Sequence, residues 1–246
     1  QKYDLVYTRI LMQHPQVVLC VQPFKNAEVS VRSHIWELME RFLKKNIAVV
    51  MPSGNNKCYV NNRYGKDYFT FLTEELIEKC ETWFDLSPKK EERFIAGMSM
   101  GGYGAVHAAL KRPELYGKAF SYSGLLDISE RFLRPQGLDL KPVFGEKEDF
   151  STAAADLFEL THKTGINLSG NVDNLPEIFI TCGLQDKRIE MSRKLYEAMK
   201  QENFNVHYIT ETGGHDWTYW DACIQNTIQI LNDKVPVSPD WRSICR

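Results

Sequence analysis

The chain has 246 residues, 43% hydrophobic and 25% charged, with a net charge of −2. That balance gives no electrostatic case for nucleic acid or an anionic membrane, and no apolar run approaches the roughly 18 residues of a membrane span. The length suits one α/β domain large enough to bury a sizeable core.

Taken in order, Val17–Val21 and Ile47–Met51 read as strands, with a helix between them at about 34–45. Tyr68, Phe71, Leu72, Cys80 and Phe84 recur at helical spacing, which predicts an amphipathic helix over roughly 67–85. A short apolar strand, Phe94–Ala96, runs into "GMSMGGYG", and a helix over Tyr103–Lys111 stops near Pro113. Strands follow at 118–122, 177–182 and 206–210, with a helix over about 188–201. There is no internal repeat and no low-complexity tract. This βαβ rhythm predicts an α/β fold with a mostly parallel central sheet covered by helices on both faces.

Between Asp127 and Pro176 the rhythm lapses. The segment 127–176 is expected to be a lid-like insertion over one edge of a single domain spanning 1–246. Its Phe132, Leu133, Phe144, Phe150, Leu157 and Phe158 either roof a pocket for an aromatic acyl group or merely fix the segment to the sheet.

The six cysteines, Cys20, Cys58, Cys80, Cys182, Cys223 and Cys245, are scattered, with no Cys-x-x-Cys spacing. Neither a zinc site nor a redox motif is indicated, and a reduced, cytoplasmic set is the expectation. The chain opens on Gln1 without Met, so a removed leader and secretion stay open.

Gly97-Met98-Ser99-Met100-Gly101 is a serine flanked at both second neighbours by glycine. In a plain protein this is a tight turn. Here a strand enters and a helix leaves, the setting of a nucleophile elbow, in which strand and helix approach closely and bulk at Gly97, Gly101 and Gly102 is excluded. The helix start turns backbone N–H groups toward charge developing beside Ser99 Oγ, which makes the Met100 N–H an oxyanion donor.

The base of such a serine is a histidine late in the chain. His14 and His34 precede the turn, His107 lies in the helix after it, His162 in the 127–176 segment and His207 in a strand. His215 instead stands in the loop "ETGGHDWTYW", after the last strand and before a helix, and is the expected general base. The acid belongs between them. Asp186, in "EIFITCGLQDKRIE", follows a strand end; its plainer use is as a helix cap, and Asp127 is its rival. Asp216 points elsewhere if His215 faces the serine. Trp217, Trp220 and Leu125, with Tyr122 and Leu126, either touch substrate or pack in the core.

Together, "GMSMGGYGAVHAAL", "FSYSGLLD", "TCGLQD" and "GGHDWTYW" resemble the putative-esterase family of α/β-hydrolases, which includes esterase D, tributyrin esterases and feruloyl esterases. "VVMPSGNNKCYVNNRYGKDYFTFLTEEL" is similar to that family's stretch leading to the helix before the elbow, and the likeness covers about 47–230. The resemblance implies a serine carboxylic-ester hydrolase with Ser99 as nucleophile, Asp186 as acid and His215 as base. It implies small acyl esters, short-chain aliphatic or hydroxycinnamoyl, as substrates, and no cofactor or metal. A homo-oligomer stays open.

One departure matters. The family carries a strand ending in His-Gly whose loop donates the second oxyanion N–H, and no His-Gly occurs in this chain. "VVLCVQPFKNAEVS" corresponds either to that strand, with Val21-Gln22 near the His-Gly place, or to an earlier hairpin strand. Loss of one donor costs ~10²–10³ in rate. An acyltransferase on the same fold and a catalytically impaired binding protein therefore remain alternative readings.

Overall fold

The computed structural model describes residues 16–21, 41, 47–52, 58–84, 86–128, 141–145, 155–167 and 174–232. Six strands lie in one sheet: β1 (Gln16–Val21), β2 (Ile47–Val50), β3 (Arg93–Met98), β4 (Lys118–Tyr122), β5 (Glu177–Gly183) and β6 (Val206–Glu211). Their order is β2-β1-β3-β4-β5-β6, and every adjacent pair is parallel.

Parallel neighbours need crossover connections, and helices supply them. The first, α1, runs through Tyr68–Thr70, a π-helical turn at Phe71–Glu75, and Leu76–Trp83. It is followed by α2 (Met100–Lys111), the short α3 (Lys141–Phe144), α4 (Leu157–Asn167), α5 (Ile189–Gln201) and α6 (Trp217–Asn232). The anticipated helix at 34–45 lies outside the described residues apart from Arg41, whose guanidinium donates to Asp221 on α6 at 3.1 Å.

Side chains alternate across each strand, so the sheet divides the core in two. Ala48, Val50, Ile95, Ala119, Ile178 and Ile180 face the layer holding α1, α2, α4 and α5. Ile47, Val49, Phe94, Ala96, Met98, Phe120 and Phe179 face α6, through Tyr219, Cys223, Ile224 and Ile228. Helix α2 is buried from Met100 to Leu110, which accounts for its small apolar residues and the near absence of charge.

Within the segment 127–176 the described residues include α3 and α4. Its helix α4 is the crossover between the interior strands β4 and β5, and it packs against α2 and α5. Phe144 and Leu157 are almost fully buried in the core on that face, and Tyr103 Oη on α2 donates to the Ala155 carbonyl at 2.7 Å. Phe132, Leu133 and Phe150 lie outside the described residues.

β1 lies between β2 and β3, with Val21 opposite Gly97. It is therefore the strand beside the serine turn, the first of the two correspondences open from the sequence. The chain runs outward from β1 to β2 and then crosses back to β3, so the sheet has its switch point at the carboxyl ends of β1 and β3. Open α/β sheets bind ligands in that crevice.

Candidate active site

Ser99 follows β3 directly and adopts φ 56°, ψ −115°, backbone that costs a side-chain-bearing residue on the order of 1–3 kcal/mol. The surrounding chain holds it there. Ser99 N–H donates to the Tyr122 carbonyl at 2.9 Å, while the Ser99 carbonyl accepts the Leu125 N–H at 2.9 Å. Close approach explains Gly102: a Cβ there would stand 2.6 Å from Ser121 Oγ and 2.8 Å from the Gly124 Cα. Ser99 stays partly exposed, and Met100 opens α2 beside it.

Three loops at the carboxyl edge of the sheet then converge. His215, after β6, sets Nε2 3.1 Å from Ser99 Oγ and Nδ1 2.8 Å from Asp186 Oδ2. Asp186, after β5, has a fully buried side chain, whereas that of His215 is 28% exposed. The chain of hydrogen bonds therefore runs from solvent to interior. Asp216 turns away as expected, its Oδ1 accepting the Tyr219 N–H at 3.1 Å as the cap of α6.

Burial works to raise the Asp186 carboxyl. Hydrogen bonds from His215 and from the Arg188 N–H (2.9 Å) outweigh it, so its pKa lies below the ordinary carboxylate value. The Arg188 guanidinium stands 3.9 Å from Oδ1. An ionised, buried carboxylate behind an imidazole fixes the proton on Nδ1 and leaves Nε2 free to take one from Ser99 Oγ.

The aromatic residues after His215 are half-buried. Trp220 meets the imidazole edge to face at 4.8 Å, and Trp217 meets Trp220 at 5.5 Å. Both pack on the core face lined by α6. Leu125 contributes its backbone to the serine turn and buries its side chain to 4% exposure. The segment after Val21, where a second oxyanion donor was sought, lies outside the described residues.

Two features escaped the sequence reading: Gln185, whose side-chain oxygen accepts the Gly213 N–H at 2.7 Å, and the contact between Gly183 and Gly213. Gly183 packs so closely on Gly213 that any Cβ would overlap the Gly213 carbonyl. Only "TCGLQD" hinted at them, and a glycine or glutamine before a loop aspartate has many ordinary uses.

Among the described residues no helix is long and apolar enough to cross a membrane. Cys58, Cys80, Cys182 and Cys223 are buried thiols.

The parallel sheet and the serine at its switch point define a serine hydrolase of the α/β-hydrolase class. The family model described as "Putative esterase" matches residues 29–229. The chain belongs to this family and is a serine esterase. An acetyl esterase from Caldicellulosiruptor saccharolyticus is 30% identical over 204 residues, 79% of this chain and 75% of that protein. The diacylglycerol acyltransferase/mycolyltransferase Ag85A of Mycobacterium leprae is 26% identical over 228 residues, 80% of this chain and 66% of its own length. Among solved structures, the substrate-bound fluorophosphonate-binding serine hydrolase FphF of Staphylococcus aureus is similar with TM-score 0.80 and 22% identity, covering 91% of this chain and 86% of its own. At that identity the likeness speaks for the fold.

Proposed function

We propose that this esterase cleaves small acyl esters in two steps through Ser99, His215 and Asp186. Ser99 Oγ attacks the ester carbonyl carbon while His215 Nε2 takes its proton. The tetrahedral intermediate turns its oxyanion toward the Met100 N–H at the start of α2. The bond to the alcohol then breaks, and His215 hands its proton to the departing oxygen. Water attacks the acyl-enzyme, His215 takes one proton from it, and the carboxylic acid leaves as Ser99 is restored. Asp186 holds the imidazole in the required tautomer throughout.

The observation that carries this reading is His215 bridging Ser99 at 3.1 Å and Asp186 at 2.8 Å. The 30% identical acetyl esterase supports a short acyl group. So does the burial of Phe144 and Leu157 in the core, which removes them from an aromatic roof. The working unit is one α/β-hydrolase domain over 1–246, with 127–176 belonging to it. The test is hydrolysis of p-nitrophenyl acetate by the native chain and by Ser99→Ala; activity surviving in the variant overturns the assignment.

The likeness to Ag85A supports one second reading, transfer of the acyl group to an alcohol. Adding glycerol or a sugar to the p-nitrophenyl acetate reaction separates the two. A large yield of acylated acceptor at the expense of acetate supports transfer, and unchanged acetate release supports hydrolysis.

A further inference from the structure

The imidazole of His215 is held at its two nitrogens, Nε2 on Ser99 Oγ at 3.1 Å and Nδ1 on Asp186 Oδ2 at 2.8 Å. Two bonds on opposite sides of a ring leave its tilt about the line joining them loosely held. The side chain's own χ2 adds no sharp preference, because rotation between a tetrahedral and a planar carbon is soft. The side chain is also 28% exposed, so enclosure does not fix the tilt.

A third contact comes from α6. Trp220 sets its ring 4.8 Å from the imidazole with the two planes at 90°, an edge-to-face arrangement of the kind aromatic pairs favour. Trp220 is itself anchored. Its backbone N–H donates to the Asp216 carbonyl at 3.1 Å, its indole meets Trp217 at 5.5 Å and 81°, and it packs on the core face lined by α6. Among the described residues its Nε1 has no hydrogen-bond partner, and that atom is shielded from solvent. What the side chain supplies is therefore the ring and its contacts rather than the N–H.

We infer that Trp220 is a positioning residue: its indole, edge to face with the His215 imidazole, fixes the tilt of that ring so that Nε2 stays directed at Ser99 Oγ.

The consequence for the reaction is geometric. Nε2 takes the proton of Ser99, passes it to the departing oxygen and then takes one from water, so one ring serves three partners in turn. A hydrogen bond weakens steeply as its angle falls away, and misplacing a reacting group by about 1 Å can cost on the order of 10²-fold in rate. Trp220 acts through His215 and not on the substrate.

This inference rests on the reading of His215 as the base. The test compares the full-length Trp220→Phe, Trp220→Leu and His215→Ala variants in p-nitrophenyl acetate hydrolysis. The rate of Ser99 labelling by a fluorophosphonate probe and the Tm are measured alongside. Phe keeps a flat ring and removes the N–H; Leu removes both. Trp220→Leu lowers kcat and the labelling rate about tenfold with KM nearly unchanged, whereas Trp220→Phe stays within about threefold of the native chain. Both variants lose volume at a half-buried position and both melt lower, so the kinetic difference between them reports the ring and not the fold. Trp220→Met, whose flexible side chain fills irregular space, takes the place of Leu if that variant is unfolded at the assay temperature. Native kcat and labelling in the Leu variant, or equal losses in Leu and Phe, overturn the inference alone. A raised KM with kcat kept makes Trp220 a substrate contact and overturns it too. A fully active His215→Ala overturns the assignment of the base, and the inference with it.

Discussion

Gln185 holds Gly213 from two directions: its N–H donates to the Gly213 carbonyl at 3.0 Å, and its side-chain oxygen accepts the Gly213 N–H at 2.7 Å. The loop bearing Asp186 and the loop bearing His215 are thereby joined one residue before the acid and two before the base. The side-chain bond is exposed, so Gln185→Ala should lower stability by only about 0.5–1.5 kcal/mol. It should lower kcat severalfold with KM unchanged, because the loss falls on the angle between two loops. Steady-state kinetics with a thermal melt check both.

Gly183 makes the same junction sterically. A methyl group there overlaps the Gly213 carbonyl, which is backbone and cannot swing aside. Gly183→Ala should destabilise by about 1–3 kcal/mol and reduce kcat more than Gln185→Ala does. Denaturant unfolding and p-nitrophenyl acetate turnover give the two numbers; a native-like result in both would refute the junction's importance.

Ser99 stores strain at φ 56°, ψ −115°. Ser99→Gly should abolish hydrolysis and labelling by a fluorophosphonate probe, yet raise stability by about 1 kcal/mol as the backbone relaxes. Ser99→Ala should be equally inactive, without the gain in Tm.

Asp186→Asn should reduce kcat by about 10⁴, the scale found when the acid of a serine–histidine–aspartate site loses its charge and the imidazole tautomer changes. Asp127→Asn should leave kcat within about twofold. A reversal of that ranking would return the acid to Asp127.

At the far edge of the sheet, Glu177 accepts from His207 at 2.8 Å and pairs with Lys118. Burial works to raise the Glu177 carboxyl, but these two partners lower it to about 2 from 4.5. A depressed carboxyl stabilises the fold above its unfolded pKa and loses that contribution as pH falls through the folded one. Glu177→Gln should therefore cost about 2 kcal/mol near neutral pH. Its unfolding free energy should also decline less than the native chain's between about pH 4.5 and 2. Urea titrations across that range test the sign.

The strands, the parallel α/β architecture and the three candidate residues Ser99, Asp186 and His215 were legible in the chain before it was folded. Each rests on local signals: apolar runs of strand length, helical periodicity, glycines around a serine, and polar residues just past strand ends. Their spacing also distinguished His215 from His207, which lies within β6 and pairs with Glu177 at the opposite edge. Tertiary structure decided what depends on neighbours distant in the chain. Asp127 and Asp186 both follow strands, and only the position of the loop after β6 brought His215 to Asp186. The place of β1 beside β3 was ambiguous because an apolar run carries no information about which strand will pair with it. The 127–176 segment read as an insertion because its connections break the βαβ spacing, and only the strand order showed that its helix α4 lies between the neighbouring strands β4 and β5, packed on α2 and α5. Gln185 and the Gly183–Gly213 contact were illegible for the same physical reason: their value lies in packing and hydrogen bonds between loops that only the folded sheet brings together.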